Sequence, residues 1–85
     1  MYRLLLTAEA KKDYDLLRGK LKRQVDKAIE RICKDPYVGK PLGGELKGLR
    51  SERVSSFRII YRIYEHTVEI LIVVIEHRKS VYGGH

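Results

Sequence analysis

Two strongly apolar runs lie back to back in the last third of the chain. They are Phe57 to Tyr64 (FRIIYRIY) and Thr67 to Ile75 (TVEILIVVI), separated only by Glu65 and His66. Each is too short to span a membrane as a helix and rich in β-branched residues, so each reads as a strand. The short joint predicts an antiparallel hairpin, although it lacks the Asn-Gly signature. In the first run Phe57, Ile59, Tyr61 and Ile63 take one face, and Arg58, Ile60, Arg62 and Tyr64 take the other. Apolar residues of the second run point both ways, which suits a central strand covered on both faces. Arg58 sits inside an apolar run, and a cation is costly to bury without a partner. It is therefore expected to face away from the core. His77 and Arg78 follow the second run, and Tyr82 comes four residues after Arg78. Arg58, His77, Arg78 and Tyr82 are candidates for one shared surface.

The preceding residues supply what the hairpin packs against. Tyr2 to Leu6 reads as a strand, and Thr7 as the N-cap of a helix with Glu9 in its first turn. Ala10, Tyr14, Leu17 and Leu21 recur at helical spacing, and Gly19 is a weak break. Leu21, Val25, Ala28, Ile29 and Ile32 then form the apolar stripe of a second helix, which Pro36 ends. Lys40 to Gly44 reads as a connection only. Glu45 to Leu49 and Arg53 to Ser55 read as short strand-like pieces. The order strand, helix, helix, three strands predicts an α+β fold: a helical hairpin packed on one face of a small, mostly antiparallel β-sheet. Residues 1–85 are read as a single domain.

One cysteine, Cys33, excludes an internal disulfide and a thiolate metal cluster. Its place beside Ile32 reads as a buried, inert thiol. The three histidines, His66, His77 and His85, lack helical ligand spacing, so no metal site and no cofactor are expected. No segment reads as a signal peptide or membrane span, and the default expectation is a soluble, cytoplasmic protein without a membrane partner.

Eighteen basic and eleven acidic residues give a net charge of +7. That balance favours a polyanionic partner without choosing among nucleic acid, acidic protein and anionic membrane. Lys47, Arg50, Arg53, Arg78 and Lys79 extend the basic set around Arg58, with Tyr64, His77 and Tyr82 interleaved. Cations and aromatic faces together suit single-stranded nucleic acid. A solvated basic face with tyrosines partly in the core fits the same spacing equally well. Arg53 lies five residues before Arg58, a spacing that a regular strand would put on the opposite side, unless Ser55-Ser56 bends the chain. Metal-free RNA cleavage needs only a base, an acid and cations around the phosphoryl group, because the substrate's 2′-hydroxyl is the nucleophile.

The segment LKGLRSERVSSFRIIYRI, with VVIEHRKSVY after it, resembles the RelE/ParE toxin superfamily of bacterial and archaeal toxin–antitoxin modules. The motifs fall at Arg53 to Tyr61 and at His77 to Tyr82, and the resemblance runs over essentially the whole chain. It implies a ribosome-dependent endoribonuclease (an mRNA interferase) that cleaves mRNA in the A site, with a cognate RelB-like antitoxin as partner. It also implies roles: Arg58 on the scissile phosphate, Arg78 on the transition state, Tyr82 against the substrate nucleotide. Lys47, Arg50, Arg53 and Lys79 fall on or beside the RNA-facing side. Two lysines of the RelE pattern fall at Leu49 and Ser51 here, so the general-base role is vacant. His77 is the substitute as base or acid, with a strand-end histidine bonded to backbone as the alternative. Two competing functions are a ParE-like DNA gyrase inhibitor without nuclease activity and a non-catalytic co-repressor module.

Overall fold

A computed structural model describes residues 1–78. Lys79 and Tyr82, both expected at the site, lie outside the described residues. The chain runs β1 (Arg3–Leu6), α1 (Ala8–Leu16), α2 (Gly19–Lys34), β2 (Lys40–Pro41), β3 (Arg50–Val54), β4 (Phe57–Tyr64) and β5 (Glu69–His77), with short 3-10 turns at Pro36–Val38 and Gly44–Leu46. The five strands form one sheet in the order β1-β5-β4-β3-β2. β1 runs parallel to β5, and the other neighbours are antiparallel. None of the described helices is long and apolar enough to cross a membrane.

The helices form where the sequence places them. Thr7 Oγ1 accepts from the Ala10 N–H at 3.0 Å and caps α1. Gly19, at φ +55, turns the chain into α2. Val25, Ala28, Ile32 and Cys33 are the buried residues of α2. Burial pushes the Cys33 thiol above its ordinary pKa. Asp35 caps the helix end, and Pro36 follows in a 3-10 turn.

One sheet face packs on the helices, and cross-strand register fixes which residues point there. Phe57, Ile59, Tyr61 and Ile63 of β4 pair with His77, Ile75, Ile72 and Ile70 of β5. Ile59, Tyr61, Ile70, Ile72 and Ile75 join Ala10, Leu17, Val25, Ala28 and Ile32 in the core. Tyr61 is fully buried with its hydroxyl satisfied twice. It donates to the Pro36 carbonyl at 2.6 Å and accepts from the Gly39 N–H at 3.0 Å. Those bonds tie the segment after α2 onto the middle of β4.

β1 covers only the first half of β5, and α1 covers the remaining edge. The Thr7 hydroxyl donates to the Val73 carbonyl at 2.6 Å, and Asp13 Oδ2 accepts from the Ile75 N–H at 3.1 Å. The backbone groups of an open edge strand are thus satisfied by helix side chains.

Three local expectations are corrected. Lys40-Pro41 is a strand paired with Ser51 and Arg50, not a bare connection. Glu45 to Leu49 is not strand-like: it begins in a 3-10 turn, and β3 starts only at Arg50. The β4–β5 turn takes residues 65–68 and not Glu65-His66 alone. Val68 adopts φ 54 there, and its carbonyl accepts from the Arg3 N–H at 2.8 Å.

Candidate functional site

The sheet face away from the helices carries Arg53 and Arg58. They are direct partners across β3 and β4, because Ser55-Ser56 is the two-residue turn between those strands. The turn reverses the chain, so the odd spacing that argued against Arg53 in a continuous strand becomes same-face pairing in a hairpin. Arg78 directly follows β5, its backbone N–H donating to the Ser56 carbonyl at 2.7 Å. Arg53, Arg58 and Arg78, together with Lys40, Leu42 and Ser51, line a cavity of about 390 Å³.

Like charges directly opposite each other destabilise a sheet. Here Arg53 faces Arg58, and Arg78 and Lys40 join them. One carboxylate offsets the group: Glu76, the cross-strand partner of Arg58 on β5, accepts from Arg58 Nε at 3.1 Å. Four cations against one carboxylate leave the cavity strongly positive, which is the electrostatic requirement for an anionic ligand. The contact through Nε also leaves the terminal pair of guanidinium nitrogens as the fork that matches a phosphate.

Of the four residues expected on one surface, Arg58 and Arg78 line this cavity, His77 does not, and Tyr82 lies outside the described residues. His77 pairs with Phe57 on the helix side of the sheet, with ring centroids 5.1 Å apart in an edge-to-face arrangement. The cause is a bulge in β5. Ile60 faces Val74 and Tyr61 faces Ile72, so Val73 is an extra residue that resets the alternation. His77 instead helps line a separate groove of about 580 Å³, with Leu16, Leu17, Leu21 and Phe57 among its walls.

Two other basic candidates are placed elsewhere. Arg50 Nε donates to the Gly39 carbonyl at 2.9 Å, and its guanidinium stacks over the Tyr37 ring at 5.1 Å. It braces the segment after α2 and does not line the arginine cavity. Lys47 is exposed just after the Gly44–Leu46 turn and is not among the cavity's lining residues. Tyr64 lies on the open face but at the far end of β4, six residues or about 20 Å from Arg58. Lys40 and Ser51 were missed as site residues. A strand of two residues carries no periodic signal, so nothing in the sequence marked Lys40 as paired.

Comparisons with known proteins show the family. A family model described as the ParE toxin of the type II toxin–antitoxin system parDE matches residues 4–82. The chain belongs to the RelE/ParE family. It is thus a type II toxin–antitoxin toxin with the α+β fold that its sequence predicts. Toxin RelG of Mycobacterium tuberculosis is 32% identical to this RelE/ParE-family toxin over 83 residues, covering 95% of each chain. The M. tuberculosis RelBE2 toxin–antitoxin complex contains a chain superposing with a TM-score of 0.80 at 32% identity, covering 91% of this chain and 98% of that one. The isolated E. coli RelE toxin shares the fold, with a TM-score of 0.80 at 19% identity, covering 99% of this chain and 94% of that one.

Proposed function

We propose that this RelE/ParE-family toxin is an endoribonuclease that cleaves mRNA in the ribosomal A site. The observation that carries the reading is the convergence of Arg53 from β3, Arg58 from β4 and Arg78 from just after β5 on one cavity. The substrate's 2′-hydroxyl attacks the adjacent phosphorus and loses its proton to solvent. As the new P–O bond forms, the P–O5′ bond breaks, leaving a cyclic phosphate and a 5′-hydroxyl. Negative charge builds on the phosphoryl oxygens, and fixed guanidinium groups stabilise it without reorganising. Of the cavity's lining side chains, Lys40 is the one that carries an ammonium, a compact charge on a flexible stem with three N–H donors. Its ammonium supplies the proton taken by the departing 5′ oxygen. Tyr82 and Lys79 retain their assigned RNA contacts in this reading. His77 acts by anchoring the end of β5 through Phe57, which holds Arg78 at the cavity.

Lys47, exposed just after the Gly44–Leu46 turn, serves RNA outside the cavity. The partner outside catalysis is a RelB-like antitoxin, which neutralises the basic open face when bound. The arrangement draws on no metal or other cofactor.

The family model's description as a ParE toxin favours a second reading, gyrase inhibition. The two separate in one pair of assays. In a reconstituted translation system, primer extension should show mRNA cut at the A-site codon only when ribosomes are present, with gyrase supercoiling unaffected. Intact mRNA with inhibited supercoiling would establish the ParE-like reading instead.

A further inference from the structure

A second basic surface lies on α2, on the side turned away from its buried stripe. Lys20, Arg23, Lys27 and Lys34 are all exposed and recur at spacings of three, four and seven, which aligns them in one row. At the helical rise the row is about 21 Å long. Lys20, Arg23 and Lys27, with Gln24 between them, line a shallow surface groove of about 340 Å³.

The charges in this row have no internal use. Among the described residues, no ion pair includes Lys20, Arg23, Lys27 or Lys34. Carboxylates around the helix are engaged elsewhere: Asp26 accepts from the Tyr14 hydroxyl at 2.6 Å, and Glu52 of β3 takes the neighbouring Arg31 at 3.2 Å. Glu30 is the one acidic side chain sharing the outer face. Moreover, the first turn of α2 contains no acidic residue, although it carries Lys20 and precedes Arg23 directly. Cations at that end oppose the helix dipole, and like charges at i, i+3 and i, i+4 repel. A helix surface that accepts both costs is built for an external polyanion.

We propose that this face of α2 docks along the backbone of an RNA double helix. Single-strand binders interleave cations with aromatic rings, and α2 contains no aromatic residue. A membrane-surface helix needs an apolar face to insert, but Val25, Ala28 and Ile32 are committed to the core. A protein partner would need an apolar or aromatic anchor beside the charges, and the groove has none. A straight row of cations fits phosphates and shape without base readout. Gln24 supplies the one neutral group of the row: its amide donates and accepts at once, as contact with a 2′-hydroxyl, which DNA lacks, requires. Only the source of the duplex, structured RNA of the ribosome, rests on the function proposed above.

The test is fluorescence anisotropy with a short RNA duplex, the matching DNA duplex and one RNA strand, all without ribosomes. The variants are Lys20→Gln/Arg23→Gln/Lys27→Gln, Gln24→Ala, and Arg3→Gln/Lys11→Gln/Lys12→Gln, which loses the same charge on other elements. Circular dichroism melts confirm that each is folded. The α2 triple variant should bind duplex RNA at least about tenfold more weakly, with a salt slope lower by about three. The control triple should keep most of its affinity, and Gln24→Ala should narrow the preference for RNA over DNA. Equal losses in the two triple variants, or wild-type affinity in the α2 variant, would overturn the proposal. A DNA preference would overturn its RNA assignment. A protein that binds duplex RNA through α2 yet cuts nothing on ribosomes would contradict the cleavage reading alone.

Discussion

Glu76 meets Arg58 through Nε at 3.1 Å, a contact that orients the guanidinium without occupying its terminal fork. Glu76→Gln keeps an acceptor for Nε and should retain most cleavage activity. Glu76→Ala frees Arg58 to rotate and should cost roughly tenfold or more, since small misplacements of a catalytic group are expensive. Comparing the cleavage rates of the two variants checks this: equal, large losses would point to a need for the carboxylate charge itself. Tyr61 offers a stability counterpart. Tyr61→Phe strands the Gly39 N–H and the Pro36 carbonyl in a buried place. The expected loss is about 1–3 kcal/mol, measured by urea unfolding. A Cβ at Gly39 would meet the Tyr61 ring carbons at 2.9 Å, so Gly39→Ala should also destabilise. Neither partner of Tyr61 was legible in the sequence. Alternation assigned its ring to the core face, but a hydroxyl reaching residues 22 and 25 positions away leaves no local pattern.

At the scale of elements, caps and stripes were legible because their physics is local. Thr7, Gly19 and Pro36 act within a turn of where they stand, and the α2 stripe is set by helical period. Of the two features that arrange the site, one was visible in the sequence only as an alternative and the other not at all. The Ser55-Ser56 turn puts Arg53 opposite Arg58, yet two serines give a far weaker turn signal than Asn-Gly. The Val73 bulge sends His77 to the helix side, and nothing in a run of Ile and Val marks which residue is extra. The turn also carries a testable cost. Ser55 has φ 57 and Ser56 is not among the positive-φ residues, a pattern in which glycine is the ordinary first residue. Ser55→Gly should therefore raise stability by about 1 kcal/mol in thermal or urea unfolding. An unchanged or lowered midpoint would show that Ser55 sits there without strain.

For the whole molecule, the α+β class and the helical hairpin followed from element order, but the sheet order did not. β1 pairs with β5 across a sequence separation of 66 residues, which no short-range pattern encodes. That pairing centres β5 and β4 in the sheet and leaves one face free of helices, and the free face gathers Arg53, Arg58 and Arg78. The family was readable from motif order alone, whereas the side of the sheet each motif residue takes required the register. The central claim is that the open face, not the His77 side, carries the chemistry. The most direct test is the single-turnover cleavage rate of ribosome-bound mRNA across pH, for wild type, Arg58→Ala and His77→Ala. Arg58→Ala should fall by about 10²–10³, the usual cost of one preorganised charge-stabilising group. His77→Ala should keep the wild-type pH profile. Wild-type cleavage by Arg58→Ala, or loss of a titrating step in His77→Ala, would contradict the account.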